Sequence, residues 1–414
     1  MIDQHSNFAT LKRMPALDGI RGIAVIMVVV MHFGAASPAN FHYFHPGLLG
    51  VDIFFVLSGF LITSILLEEW ERTGSISLKN FFARRFLRLM PAYWMCLLFL
   101  HFVAPHFLTG VEAQAARSNR SLFFALIYMT NWQAVTGEHL GVFSHLWSLA
   151  VEEQFYFTWA PFLLLLFVGT KNRRAVVVVT LLLNVLLLNW LEPRIANRSA
   201  SITATDCRLI SLLIGALAGM ASFWNIYPRE FFSSKYFDLL AAASAITAVV
   251  LATRFSLDPF PTFRVLPWFA LSVAVFIVWS ANRTRSVAHL LLTFPPLVWI
   301  GQVSYGLYLW HLFFVVYVRD QPWSLSMKLS VGVAASLIVT TASYYLLERP
   351  FLKLKDRFKF TPPALAESNT TTKPQIPTFD SAKETISTII ARPAQSEART
   401  DMMLVDVLQQ PVNQ

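Results

Sequence analysis

Charged residues are scarce in this chain of 414 residues. Asp, Glu, Lys and Arg together make up 14% of it, whereas 55% of the residues are hydrophobic and Phe alone occurs 36 times. Soluble domains carry about 25% charged residues. A soluble fold of this size could not cover so much apolar surface with so few charges. The composition therefore predicts a membrane protein that crosses the bilayer several times.

Cysteine is almost absent as well, since only Cys96 and Cys207 occur, both in apolar stretches. The sequence has neither a disulfide framework nor a CxxC pattern, and no His and carboxylate cluster has metal-ligand spacing. We therefore predict two core cysteines and no metal site. The net charge of +9 comes from short basic clusters between apolar runs. That pattern is typical of cytoplasmic loops that meet anionic membrane lipids, so no nucleic-acid partner is predicted.

Ten runs are long and apolar enough for membrane helices, which need about 20 residues. They cover 17–36, 47–67, 89–108, 147–168, 174–191, 206–224, 236–253, 264–281, 297–318 and 328–348. The expected fold is an all-α bundle of about ten transmembrane helices. If the N-terminus is cytoplasmic, inside loops hold more than twice as many Lys and Arg residues as outside loops. Both termini are therefore predicted to be cytoplasmic.

The sequence changes character near its C-terminus. From residue 359 onward it is rich in Thr, Ser, Pro and Ala with scattered charges. Such a composition cannot bury enough apolar surface to form a packed core. We therefore predict two parts, a transmembrane domain over 1–358 and a disordered cytoplasmic tail over 359–414.

Three polar residues lie inside the first apolar run: Asp18, Arg21 and His32. A charged group at the centre of a membrane helix costs about 2.5–3.5 kcal/mol, so its presence requires a reason. Helical spacing places Arg21 and His32 on one face, about 16 Å apart along the axis. An Arg21–Asp18 pair with a hydrogen-bonded His32 would explain them, and so would a polar path through the bundle.

The second run places Asp52 near the same membrane surface as His32. Two interpretations of Asp52 stay open. Its carboxylate could orient the imidazole of His32, as in a His–Asp relay. It could equally cap the start of the second helix.

The fourth run begins near Trp147 and carries two adjacent carboxylates, Glu152 and Glu153. Successive helical residues point about 100° apart, so one is expected to face water and the other the bundle. The run also contains Trp147, which could stack on a sugar, although a tryptophan at this depth is first an interfacial anchor.

Further basic and imidazole groups complete the set of candidates. Arg84, Arg85 and Arg88 precede the third run, where positive-inside bias alone would explain them. Arg85 and Arg88 nevertheless share a helix face and suit bidentate phosphate binding. Arg208 lies in the sixth run and His311 in the ninth. Two functions fit these residues: group transfer from a phosphorylated cytoplasmic donor to an outside acceptor, or transport of an anionic or lipid-linked substrate.

Six motifs in order resemble the acyltransferase-three family of integral-membrane O-acyltransferases. The resemblance covers about residues 15–357. It rests on Leu17–Gly22 continuing to His32, and on Gly50–Phe60, Arg84–Pro91, Trp147–Tyr156, Ser304–His311 and Glu348–Phe351. In one departure, Arg208 is followed by Ile210 where an Asp is expected, and the nearby acid is Asp206.

The resemblance implies a multi-pass inner-membrane enzyme that transfers an acyl group, acetyl by default, from cytoplasmic acyl-CoA. The acceptor would be a hydroxyl of a carbohydrate or a glycosylated molecule. No tightly bound cofactor is implied, because acyl-CoA is consumed as a substrate. Some family members carry an extracytoplasmic esterase-like domain, which the sequence after residue 360 does not resemble. A separate acyl-handling partner outside the cytoplasm, or action without one, both stay open.

The matched positions suggest a role for each candidate residue. His32 would act as general base or, alternatively, as acyl-accepting nucleophile, assisted by Asp52 and Glu153. The donor would bind to Arg21, Arg84, Arg85 and Arg88. The acceptor would contact Trp147, Glu152, Arg208 and His311. The family's single glutamate corresponds to Glu152 or Glu153, of which Glu153 is preferred.

Overall fold

A computed structural model describes most of the protein. It covers residues 14–35, 45–170, 172–196, 203–224, 226, 229–257, 262–283 and 286–358. Within these ranges every regular element is a helix. The predicted tail, 359–414, lies outside the described residues.

Ten longer helices form the bundle. They are α1 (Pro15–Ala35), α2 (Leu49–Thr73), α3 (Leu78–Leu98), α4 (Trp147–Thr170), α5 (Arg173–Ala196), α6 (Thr205–Phe223), α7 (Lys235–Leu257), α8 (Thr262–Asn282), α9 (Ser304–Arg319) and α10 (Leu325–Ser343). Single π-helical turns, Phe99–Val103 and Tyr344–Glu348, extend α3 and α10. The helical fold class predicted from the sequence is thus confirmed.

Shorter helices fill the connections. Between α3 and α4 lie Gly110–Ala116, Asn119–Leu126, Thr130–Val135 and the 3₁₀ helix Gly141–Leu146. Others are the 3₁₀ helix His45–Leu48 before α2, Arg229–Ser233 before α7, Val287–Leu292 and Pro295–Gln302 before α9, and Arg349–Leu354 after α10.

Nine of the described helices, all the long ones except α9, are long and apolar enough to cross a membrane. The protein is therefore a multi-pass membrane protein. Where the sequence predicts one continuous helix over 297–318, the structure has Pro295–Gln302 followed by α9. The two separate at Val303, whose ψ of 5° leaves the helical region near −42°.

Helices α2 and α6 touch through their backbones. A β-carbon on Gly59 of α2 would lie 1.9 Å from the carbonyl oxygen of Leu212. A β-carbon on Gly215 of α6 would lie 2.1 Å from the carbonyl oxygen of Val56. Only glycine permits this approach, because any other residue would overlap the opposite backbone.

Helix α1 packs against α2, α9 and the short helix Pro295–Gln302. Helix α4 contacts both α2 and α6. Cys96 and Cys207 are buried thiols, as predicted. These contacts bring the polar faces of α1, α2, α4, α6 and α9 into the middle of the bundle.

Candidate active site

Two histidines meet where α1 passes α9. The Nε2 atom of His311 lies 3.2 Å from Nδ1 of His32, and the ring centroids are 5.0 Å apart. On its other side, Nδ1 of His311 lies 3.0 Å from the carbonyl oxygen of Leu307 and 2.8 Å from that of Tyr308. The carbonyl oxygen of Val28 lies 3.0 Å from Nδ1 of His32.

These contacts define one tautomer for each neutral ring. Carbonyl oxygens only accept hydrogen bonds, so Nδ1 of His311 must carry the proton that it donates to them. Its Nε2 atom is then an acceptor, and Nδ1 of His32 donates both to it and to Val28. The Nε2 atom of His32 is left without a proton, as a general base requires.

His145 is a third member of this cluster that the sequence analysis did not single out. It lies in the 3₁₀ helix just before α4, and its Nε2 donates to the carbonyl oxygen of Leu309 at 3.1 Å. Its ring centroid is 5.6 Å from that of His311. The sequence feature that could have indicated His145 is its position two residues before Trp147, where the motif Trp147–Tyr156 begins.

A cavity of about 730 Å³ contains the four predicted donor-binding arginines. We call it the basic cavity; it is lined by Arg21, Arg84, Arg85, Arg88 and Lys355, among others. Helices α1 and α3 contribute the arginines, so two sequence motifs far apart in the chain converge on one space. Its wall also includes Ser148 of α4 and Tyr308 of α9.

The four arginines differ in how they are paired. Arg21 pairs with Asp18 at 2.9 Å, the structural pair that the sequence suggested. Arg84 pairs with Glu69 at 2.9 Å and donates to the carbonyl oxygen of Phe358 at 2.8 Å. These contacts occupy both guanidinium groups with the protein's own acceptors.

Arg85 and Arg88 are less fully engaged. Arg85 lies 3.6 Å above the ring of Tyr156, and its Nη2 is 3.8 Å from Glu153, beyond hydrogen-bond distance. Its buried Nε has no hydrogen-bond partner among the described residues. Arg88 forms no ion pair within 4 Å in the part of the chain that the structure describes. Both remain able to bind an anion.

Glu152 and Glu153 face different surroundings, as expected of adjacent helical residues. Glu152 lines the basic cavity, and its Oε1 accepts hydrogen bonds from Ser58 and Tyr156. Glu153 is buried behind the cavity wall beside Arg85. Glu152 thus shares a cavity with the four arginines, and Glu153 lies beside Arg85.

Asp52 does not contact His32, which corrects the predicted relay. Its Oδ2 accepts a hydrogen bond from Nη1 of Arg208 at 2.7 Å, and Oδ1 accepts one from Ser211 at 3.2 Å. Asp52 and Arg208 are completely buried. The close α2–α6 contact turns Asp52 toward α6, so Asp52 and Arg208 form a buried ion pair.

His32 lines a second cavity of about 500 Å³, which we call the His32 cavity. Trp147 and His145 also line it, whereas His311 lies behind His32. No residue lines both cavities. Their walls meet where the Tyr308 hydroxyl donates to the carbonyl oxygen of His145 at 2.7 Å and accepts from Ser148 at 2.5 Å.

A helical membrane bundle with a bare imidazole nitrogen beside an arginine-lined cavity matches the class of membrane acyltransferases. Residues 14–348 match the family model of the acyltransferase domain, so the chain belongs to this family. It is similar to the peptidoglycan O-acetyltransferase OatA of Listeria monocytogenes, with 33% identity over 83% of this chain and 56% of the relative.

Two further relatives support the same assignment. A putative peptidoglycan O-acetyltransferase of Bacillus subtilis, YrhL, is 30% identical over 81% of this chain and 54% of its own length. A putative O-acetyltransferase of Staphylococcus aureus is 29% identical, over 84% and 59%. The chain thus spans somewhat more than half the length of these relatives. No solved structure matches it.

Removing the carboxylate of the buried pair should strongly destabilise the protein. Asp52→Ala leaves the buried Arg208 charge without this carboxylate, which costs about 3–5 kcal/mol in such settings. Asp18→Ala is the matched control, because the Arg21–Asp18 side chains are 22% and 24% exposed and such pairs contribute about 0–1 kcal/mol. Thermal unfolding in detergent measures the stability of both variants. Equal losses of stability would contradict the prediction that the fully buried pair contributes more.

The tautomer of His32 can be observed directly. Protein labelled with ¹⁵N in histidine side chains should show His32 with a protonated Nδ1 and a bare Nε2, because Val28 and His311 both accept from Nδ1. Protonated and bare ring nitrogens have widely separated ¹⁵N shifts, and His32→Gln identifies the signals by their loss. A proton on Nε2 would overturn the assigned hydrogen-bond direction.

Proposed function

We propose that the protein is a membrane-bound O-acyltransferase that moves an acyl group, acetyl by default, from acyl-CoA to a carbohydrate hydroxyl. The observation that carries the proposal is the position of His32 beside the junction of two separate cavities, with its Nδ1 held by the Val28 carbonyl and by His311, contacts that leave Nε2 as the bare nitrogen. Family membership supports the acyl chemistry. The similarity to OatA and YrhL, a peptidoglycan and a putative peptidoglycan O-acetyltransferase, supports a peptidoglycan-type acceptor.

The basic cavity is the proposed donor site. CoA carries three phosphate groups, and Arg85 and Arg88 offer guanidinium groups that the protein's own acids do not saturate. Arginine suits such binding because its planar fork matches phosphate oxygens. The excess of Lys and Arg in the predicted inside loops supports entry of the donor from the cytoplasm. The protein needs no tightly bound cofactor in this proposal.

The thioester would lie at the end of the basic cavity formed by Ser148 and Tyr308. Tyr308 connects this wall to the histidines, since its ring centroid is 5.7 Å from that of His311. The Ser148–Tyr308 hydrogen bond lies where the walls of the two cavities meet. The thioester must pass this contact, or open it, to reach the acceptor.

In the proposed reaction Nε2 of His32 takes the proton of the acceptor hydroxyl. The hydroxyl oxygen attacks the thioester carbonyl carbon, forming the new C–O bond, and the C–S bond then breaks. The CoA sulfur leaves and receives the proton from His32, so the products are the ester and free CoA. His311 and the Val28 carbonyl hold the imidazole ring of His32 in place. In a Ser–His–Asp triad a carboxylate has this role.

The site of action and the partners follow from this scheme. The protein would act in the cell (inner) membrane among lipids, with acyl-CoA on one side and a carbohydrate acceptor on the other. A separate extracytoplasmic acyl-handling protein is the alternative to direct transfer by this chain.

Release of free CoA from acetyl-CoA tests the proposal. Purified wild-type protein with glycan strands from peptidoglycan should release CoA and form glycan O-acetyl esters. His32→Ala should bind acetyl-CoA normally but lose turnover by at least 100-fold, in line with loss of a general base. If wild-type protein moves a substrate across vesicles without consuming any acyl-CoA, the transporter alternative replaces this proposal.

Arg88 is predicted to bind the donor. Arg88→Gln should raise the KM for acetyl-CoA by about 10–100-fold, the range expected when a hydrogen bond to a charged group is lost. Arg173→Gln is the charge-matched control, because neither Arg173 nor its ion-pair partner Glu71 lines the basic cavity. Equal effects of the two variants on KM would show that only overall charge matters, contrary to the prediction.

A further inference from the structure

The His32 cavity has a charge balance different from that of the basic cavity. Its charged lining consists of Glu112, Glu138 and Arg319, together with three histidines. The basic cavity has four arginines and a lysine against four acids, Asp18, Glu68, Glu69 and Glu152. Basic groups therefore outnumber acids in the basic cavity and acids outnumber arginine in the His32 cavity, which makes the His32 cavity the less suited of the two to a polyphosphate. Its volume of about 500 Å³ is within the usual range for small-molecule sites.

Glu112 has an unused hydrogen-bond acceptor in this cavity. It lies in the short helix Gly110–Ala116 and is only 5% exposed. Its Oε1 faces Nη2 of Arg319 at 3.3 Å and Nε2 of His139 at 3.4 Å. Its Oε2 is buried and has no hydrogen-bond partner among the described residues. A buried carboxylate oxygen without a donor is costly, and Glu112 lines the cavity, so a rotation of its carboxylate toward the cavity would let a ligand hydroxyl supply the missing hydrogen bond.

Glu138, the other acid of the cavity, differs in this respect. Its Oε1 is 2.8 Å from Nη2 of Arg120, and its Oε2 accepts from Gln133 at 2.9 Å. Both of its oxygens are therefore engaged by the protein. Glu112 alone combines a free carboxylate oxygen with a place in the lining that contains His32.

We infer that the His32 cavity binds the carbohydrate acceptor and that Glu112 accepts a hydrogen bond from one of its hydroxyls. This inference rests on the proposed function and adds the acceptor site to it. A sugar presents several hydroxyl donors, so one can bind Glu112 while another reaches Nε2 of His32. Arg319 offers a donor to a sugar oxygen, and Trp147 adds an apolar wall. Glu112 is a substrate-binding residue in this scheme, and the proton transfer is left to His32.

Steady-state kinetics on the full-length protein in detergent tests the inference. Acetyl-CoA is the donor, and glycan strands released from peptidoglycan are the acceptor probe. Glu112→Gln keeps the side-chain shape but removes the negative charge and exchanges one carboxylate oxygen for an NH₂ group. The KM for the glycan should therefore rise about tenfold. The KM for acetyl-CoA and donor binding should stay within twofold of wild type, which also shows that the variant is folded.

Asp320→Asn is the matched control. Asp320 is the other acid that pairs with Arg319, at 3.0 Å, but it does not line the cavity. It should leave both KM values unchanged. As a second variant, Val315→Phe places bulk in the cavity lining and should lower acceptor-dependent turnover while donor binding persists.

The outcomes separate this inference from the proposed function. If wild type transfers acetyl groups but Glu112→Gln and Val315→Phe leave the acceptor KM within twofold, the acceptor binds elsewhere and the proposed function stands. If Asp320→Asn raises the acceptor KM as much as Glu112→Gln, the effect comes from Arg319 and the role of Glu112 is wrong. If wild type consumes no acyl-CoA with this acceptor, the proposed function fails and this inference fails with it.

Discussion

Charges buried in an apolar helical bundle must be paired, and this constraint organises the whole site. Asp52 pairs with Arg208 and also accepts from Ser211 at the tight α2–α6 contact, while Arg84 is held by Glu69 and the backbone of Phe358. The exceptions are informative because unpaired buried groups are costly. Among the buried atoms without a hydrogen-bond partner in the described residues are the Nε of Arg85, a residue of the basic cavity, and the Oε2 of Glu112, a residue of the His32 cavity.

The histidine pair lies beside the junction of these cavities and needs no carboxylate to set its protonation. Backbone carbonyls on α9 fix the proton of His311, and His311 together with Val28 fixes that of His32. The arrangement requires α1 and α9 to pack closely. A neutral orienting group also avoids placing another charge inside the membrane, where its insertion would cost about 2.5–3.5 kcal/mol.

Much of this arrangement could be predicted from the sequence, because its signals are local. Apolar runs predict helices, and the spacing of Arg85 and Arg88 predicts a shared helix face suited to phosphate. The partner of Asp52 could not be predicted, since depth along a helix does not fix which neighbour a side chain faces. The break at Val303 depends on tertiary contacts that hydropathy does not contain. Glu112 was missed because it lies in a connection between helices, where an isolated acid is ordinary.

The central claim is that donor and acceptor occupy different cavities and meet at His32. The most direct test uses proteoliposomes with peptidoglycan glycan strands trapped inside and acetyl-CoA added outside. Protease accessibility first identifies the fraction of molecules whose predicted cytoplasmic loops face outward. The account predicts O-acetyl esters on the trapped glycan with wild-type protein and none with His32→Ala. Esters formed only on glycan supplied on the same side as acetyl-CoA would contradict it.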